Sequence, residues 1–190
     1  MKHEEFHAFS NKKFDDYSEK KREEAIKAFG CEIAENANDL TSGELKGFIE
    51  EKMGEYFDKY YVKEVKIKEK EIKKEESEKD IIIYVPYDGN VEMLRLKPSV
   101  SSDETLKVFL NEKEIGVKVK DLASKTKEEI SEETDKIVEE LKKNLDSLKK
   151  DIEECNKELK KGLKDEAEKI KKRIEKDKEK LKEIKEIIKK

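Results

Sequence analysis

In 190 residues the chain has no tryptophan, no glutamine, two prolines, two cysteines and three arginines. Cys31 and Cys155 lie far apart, so they make neither a disulfide framework nor a zinc cluster, and they fit a reducing, cytoplasmic interior. The longest uninterrupted apolar run is Ile81–Val85. A membrane span needs about 20 such residues, so none is expected. The start, Met1-Lys2-His3-Glu4-Glu5, lacks the apolar stretch of a secretory signal. Neither G-x-x-x-x-G-K-[ST] nor G-x-G-x-x-G occurs, so no glycine-rich phosphate loop is available and no cofactor is expected. Charge of one sign is also missing: 45 basic and 49 acidic residues leave a net −4. Dedicated nucleic-acid binders usually carry a strongly basic surface, which argues against that class of partner.

What is present is charge in both signs. Charged residues make up 49% of the chain and hydrophobic ones 34%. Lysine and glutamate dominate, a thermophile-like composition that a low-GC genome would also produce.

Hydrophobic periodicity divides the chain into three regions. Residues 1–60 read as helical. Phe14, Tyr17, Ala25, Ile26, Phe29, Ile33 and Ala37 form one helix face, with Ser10 or Asn11 as its cap and a break at 36–39. A second helix starts at Thr41, whose spacing to Glu44 is that of a capping box. Its stripe runs through Leu45, Phe48, Ile49, Met53, Tyr56, Phe57 and Tyr60. Gly43, Gly47 and Gly54 share one side, which predicts close packing or, less simply, backbone offered to a ligand. Residues 61–122 change period. Val65 and Ile67 alternate with lysines as an edge strand would, and 69–79 read as a solvated loop. Ile81–Val85 is expected to be a central strand, with a turn at Asp88-Gly89 and a returning strand over 91–96. Alternation over 106–110 and 115–119 completes an antiparallel meander of four to five strands.

From 126 to 190 one long coiled-coil helix is expected, capped by Thr126 and Glu129. Straight, it would be about 98 Å long, too long to pack wholly on a small domain. Its stripe comprises Ile130, Ile137, Leu141, Leu145, Leu148, Ile152, Leu159, Leu163, Ile170, Ile174, Leu181 and Ile184, with Cys155 among them as a small hydrophobe. Such a stripe predicts self- or partner-association. Residues 126–158 carry 7 basic and 12 acidic side chains, net −5, whereas 159–190 carry 14 and 8, net +6. An antiparallel arrangement sets these halves against each other, as a dimer or as a hairpin. Gly162 is the available breaker, but a lone glycine costs only about 1 kcal/mol, so a continuous or kinked helix paired antiparallel with another chain is preferred to the hairpin.

One stretch has the form of a catalytic motif. His3-Glu4-Glu5-Phe6-His7 matches H-E-x-x-H, which on a helix holds zinc and activates water. With glutamate so abundant and only Met1 and Lys2 before it, a chance match on a loose first turn is preferred to a zinc hydrolase. Asn156 adjoins the long stripe, where it could set register, mark a kink or face solvent. Tyr56, Phe57, Tyr60 and Tyr61 are expected as core at a helix–sheet junction, or as a contact patch.

The segment Val85-Pro86-Tyr87-Asp88-Gly89 with Lys97-Pro98-Ser99 resembles a pattern in uncharacterised prokaryotic proteins. There an I-P-[FY]-x-G turn precedes a basic-Pro-Ser triplet, a hairpin and a long helix with a central Asn. Here Asn156 and the basic Lys171-Lys172-Arg173 fall in that order, and the likeness covers roughly residues 80–180. The family usually has Arg where this chain has Lys97. The resemblance implies an accessory or recognition module, in some cases encoded near phage-defence genes, and transfers no functional residue. It points to Pro86, Tyr87, Asp88, Gly89, Asn90, Lys97, Pro98 and Ser99 as a recognition surface. The combined expectation is a non-enzymatic α+β interaction protein. The alternative is an accessory subunit of a defence effector complex.

Overall fold

The structure, a computed structural model, describes residues 4–10, 12–37, 40–76, 80–100, 106–111, 113–119 and 124–188. It is an α+β protein with N-terminal helices, an antiparallel sheet and a long C-terminal helix. Contacts divide it into two units, one of Met1–Tyr17 with Lys63–Glu153 and one of Ser18–Val62 with Glu154–Lys190. The long helix contributes residues to both units.

The first unit holds the sheet. Its strands are β1 (Glu4–His7), β2 (Lys66–Ile67), β3 (Lys73–Glu76), β4 (Ile81–Asp88), β5 (Lys107–Asn111) and β6 (Glu114–Val119). The order is β1-β5-β6-β4-β2, with β3 also on β4 and every pairing antiparallel. This departs from a simple meander, because β6 lies between β4 and β5. Strand β4 is central, as its apolar run predicts, and Ile83 and Val85 are fully buried. Along its other edge, β2 and β3 act as one strand interrupted by a 3-10 turn at Glu69–Glu71. A cross-strand glycine makes room for an aromatic ring on β5. A Cβ on Gly116 would fall 2.1 Å from the Phe109 ring, which occupies that space and meets Tyr84 edge-on at 6.1 Å.

Three local expectations are corrected here. Glu4–His7 form an edge strand, not a helical turn, because β5 offers them a backbone partner. Residues 73–76 pair with β4, although Lys-Lys-Glu-Glu shows no apolar alternation; residues 77–79 lie outside the described ones. Val91–Arg95 is a 3-10 turn, not a strand, started by Asn90 Oδ1 accepting from Glu92 N at 3.1 Å. It buries Met93 and Leu94.

Helix α1 (Phe14–Asn36) starts in this unit. Ser10 is not its cap: the Ser10 hydroxyl donates to His7 O at 2.6 Å. Asn11 and residues 38–39 lie outside the described residues. The start of α1 is instead tied by backbone. Phe14 N donates to Lys97 O at 2.9 Å and Lys97 N donates to Lys12 O at 3.0 Å.

The second unit contains most of α1, helix α2 (Ser42–Tyr60) and the C-terminal part of α3 (Lys127–Ile188). The Thr41–Glu44 capping box forms as predicted. So does the one at α3, where Glu129 N donates to Thr126 Oγ1 at 3.2 Å and Thr126 N to Glu129 Oε2 at 2.7 Å. Ala25, Phe29 and Ile33 of α1, Leu45 and Ile49 of α2, and Leu159, Leu163, Ala167 and Ile170 of α3 form one buried cluster. Gly162 does not break α3. A Cβ there would stand 2.4 Å from Ile26 Cδ1, so the glycine makes room for the Ile26 side chain of α1. Arg22 of α1 pairs with Glu158 of α3.

Candidate functional site

The expected recognition surface divides between buried and exposed residues. Pro86, Tyr87 and Pro98 are buried, while Asp88, Gly89, Asn90, Lys97 and Ser99 are exposed. Gly89 has φ +112°, and a Cβ on it would fall 2.1 Å from Glu64 O, so the turn needs glycine on both counts. Asp88 pairs with Lys68 at 3.2 Å. Asp151 of α3 accepts from Ser99 N at 2.8 Å and from the Ser99 hydroxyl at 2.5 Å. What the segment leaves open is a groove of about 510 Å³ lined by Lys12, Tyr17, Glu92, Met93, Arg95 and Leu96. Its apolar floor is Met93 and Leu96, and Arg95 pairs with Glu92 at 3.3 Å. Sequence reasoning missed the groove, because Lys12 and Tyr17 are brought to it by backbone ties of the 9–14 segment to Leu94 and Lys97, roughly 80 residues away.

The stripe of α3 changes character along its length. Ile130 and Ile137 are half-buried. Within the first unit Leu141, Leu145, Leu148 and Ile152 are buried. Within the second, Cys155, Leu159, Leu163 and Ile170 are buried, and Ile174 is half-buried. The chain thus covers most of the stripe that its length alone predicts to need a partner. Beyond Ile174 cover ends, at a cleft of about 160 Å³ between Leu45 and Lys46 of α2 and Lys171, Ile174, Glu175 and Lys178 of α3. Leu181, Ile184 and Ile188 continue the same spacing but are 55%, 51% and 77% exposed.

Asn156 lies inside this unit, buried, with Oδ1 accepting from Val62 N and Nδ2 donating to Val62 O. The aromatic residues expected at a helix–sheet junction pack within the helical unit, apart from Tyr61. Tyr56, Phe57 and Tyr60 are half-buried against the three-helix cluster, because α2 turns them towards α1 and α3 of its own unit. Tyr61 is exposed. Tyr56 donates to Glu32 Oε2 at 2.7 Å, and Lys52 pairs with Glu32 Oε1 at 2.9 Å. The Tyr56 hydroxyl, and next Lys52, hold the Glu32 carboxyl below its ordinary range, while Glu32 and burial push the phenol up to about 12. These groups are polar anchors between α1 and α2, a network whose 20- and 24-residue separations hid it in the sequence. No neighbour stands within 4 Å of a Cβ built on Gly43, Gly47 or Gly54, so the close packing expected of them is not formed.

Glu4–His7 is extended, so the helical spacing through which H-E-x-x-H holds zinc is not made; His3 lies outside the described residues. Among the described residues no group of His, Cys, Asp and Glu is placed to hold a metal ion. Burial pushes the Cys155 thiol up, which keeps it protonated, and Cys31 is exposed. No described helix is long and apolar enough to cross a membrane. No family model, curated protein or solved structure matches this chain.

Proposed function

We propose that the protein is an interaction module whose α3 holds a partner through its C-terminal end. One observation carries this reading: the apolar stripe outruns the helices that cover it, leaving Leu181, Ile184 and Ile188 in solvent at seam spacing. Exposing large aliphatic groups in periodic register is unfavourable unless another surface covers them. In the same reading the sheet-bearing unit supplies recognition, through the exposed turn Asp88–Asn90, Lys97 and Ser99 and the groove beside them.

The antiparallel dimer that sets the acidic half of α3 against the basic half fits this reading poorly. Leu141 and Leu148 of the acidic half are already covered by the chain itself, so that face would have to be stripped first.

Affinity purification with the full chain and with a Leu181→Glu, Ile184→Glu variant tests the proposal. A stoichiometric partner or second copy held by the parent chain and lost by the variant, with unfolding unchanged, is the expected result. Identical recovery with both chains overturns it.

A further inference from the structure

We infer that the occupant of the exposed α3 seam is an acidic amphipathic helix of another protein. The inference rests on the docking reading above and adds the chemistry of what docks. At 3.6 residues per turn, Ile174, Leu181, Ile184 and Ile188 fall on one side of α3. Arg173 and Lys180 border that side on one edge, and Lys178, Lys182 and Lys185 on the other. The acidic residues Glu179, Glu183 and Glu186 project from the opposite face. Both edges of the seam are thus basic, although residues 174–188 hold five acidic and five basic side chains.

Residues bordering an apolar seam set the choice of partner in helix pairs. A second copy of this segment, parallel or antiparallel, would bring lysine-bordered edges together, and like charges at such positions destabilise the pair. A partner with Glu or Asp on both borders gains where a second copy loses. Two acidic groups lie near the seam: Asp177, four residues after Arg173 and three before Lys180, and Glu175, which lines the cleft with Lys46, Lys171 and Lys178; in both places the basic side chains outnumber them. Lys178 is partly committed, because its ammonium donates to Leu40 O at 3.1 Å. Lys180, Lys182 and Lys185 are exposed. The covered seam up to Ile170 leads directly into this segment, and the cleft at Leu45 and Ile174 marks where an incoming helix would meet the existing bundle.

The test uses the full chain and three synthetic amphipathic helices with the same leucine seam, bordered by Glu, by Lys or by Ser. Fluorescence anisotropy reads binding, and sedimentation equilibrium reads self-association. The Glu-bordered helix is expected to bind at least about tenfold more tightly than the Lys-bordered one, with an advantage that shrinks as salt is raised. Lys180→Glu with Lys185→Glu is expected to reverse the order. Equal binding of all three overturns the charge selection and leaves the docking surface standing. No binding by any helix, from a chain that stays monomeric, overturns the docking surface as well. A dimer abolished by Leu181→Glu makes a second copy the occupant and overturns the inference.

Discussion

The side chain of Asn156 closes a two-bond ring on the backbone of Val62: Val62 N donates to Asn156 Oδ1 at 2.9 Å, and Asn156 Nδ2 donates to Val62 O at 3.0 Å. The chain leaves α2 at Tyr60, so Val62 has no helical partners, and this amide supplies both. Asn156→Leu is expected to cost about 1–3 kcal/mol, because a buried donor and acceptor are left unmade. Urea unfolding measures the loss. Amide exchange at Val62 should accelerate more than exchange at Leu163, and an unchanged Val62 rate would remove the role assigned to Asn156.

Gly89→Ala is expected to destabilise the chain by about 1–3 kcal/mol or more, through a positive φ and a Cβ driven onto Glu64 O. Thermal unfolding reads it. Tolerance of alanine at full stability would contradict the turn geometry.

Tyr56→Phe removes the hydrogen bond to Glu32 and is expected to cost about 1 kcal/mol at neutral pH. The folded Glu32 carboxyl titrates below its unfolded value. Its contribution is therefore full above the unfolded value and lost as pH falls through the folded one. The gap between parent and variant should narrow as pH drops below about 4. At the alkaline end the phenol titrates higher when folded, at about 12, so its share persists below the unfolded value near 10 and fades as pH rises through 12. Unfolding midpoints across pH check both arms.

The two thiols should separate in labelling. Cys31 is exposed and Cys155 is buried with its thiol pushed up. One equivalent of a thiol reagent should react rapidly with the native chain and the second only on unfolding. Two fast equivalents would contradict the burial of Cys155.

The strong periodic signals were legible. The α3 stripe, its capping box, the α2 capping box and the central strand at Ile81–Val85 all follow from spacing that survives any tertiary arrangement. Short elements were not. Lys73–Glu76 pairs through its backbone and presents no apolar side chain, so alternation has nothing to register. Val91–Arg95 carries three apolar residues in five, which a strand or a 3-10 turn can bury equally well. The cover on α3 was hidden for another reason. The α1 and α2 stripes are visible, but nothing local shows that they face Leu159–Ile170 more than 100 residues away. Gly162 carried the clue in a form that reads as weakness: as a breaker it lowers helix propensity, whereas in the fold it makes room for Ile26.

Partner docking depends on where the α3 stripe stops holding the fold and starts facing outward. Urea unfolding of Leu163→Ala and Leu181→Ala, side by side, measures that boundary. Leu163 is fully buried and should cost about 2–5 kcal/mol. Leu181 is half-exposed and should change stability by less than about 0.5 kcal/mol. A comparable loss at Leu181 would mean that the C-terminal end of α3 is already covered within the chain, and the partner-facing surface would not exist.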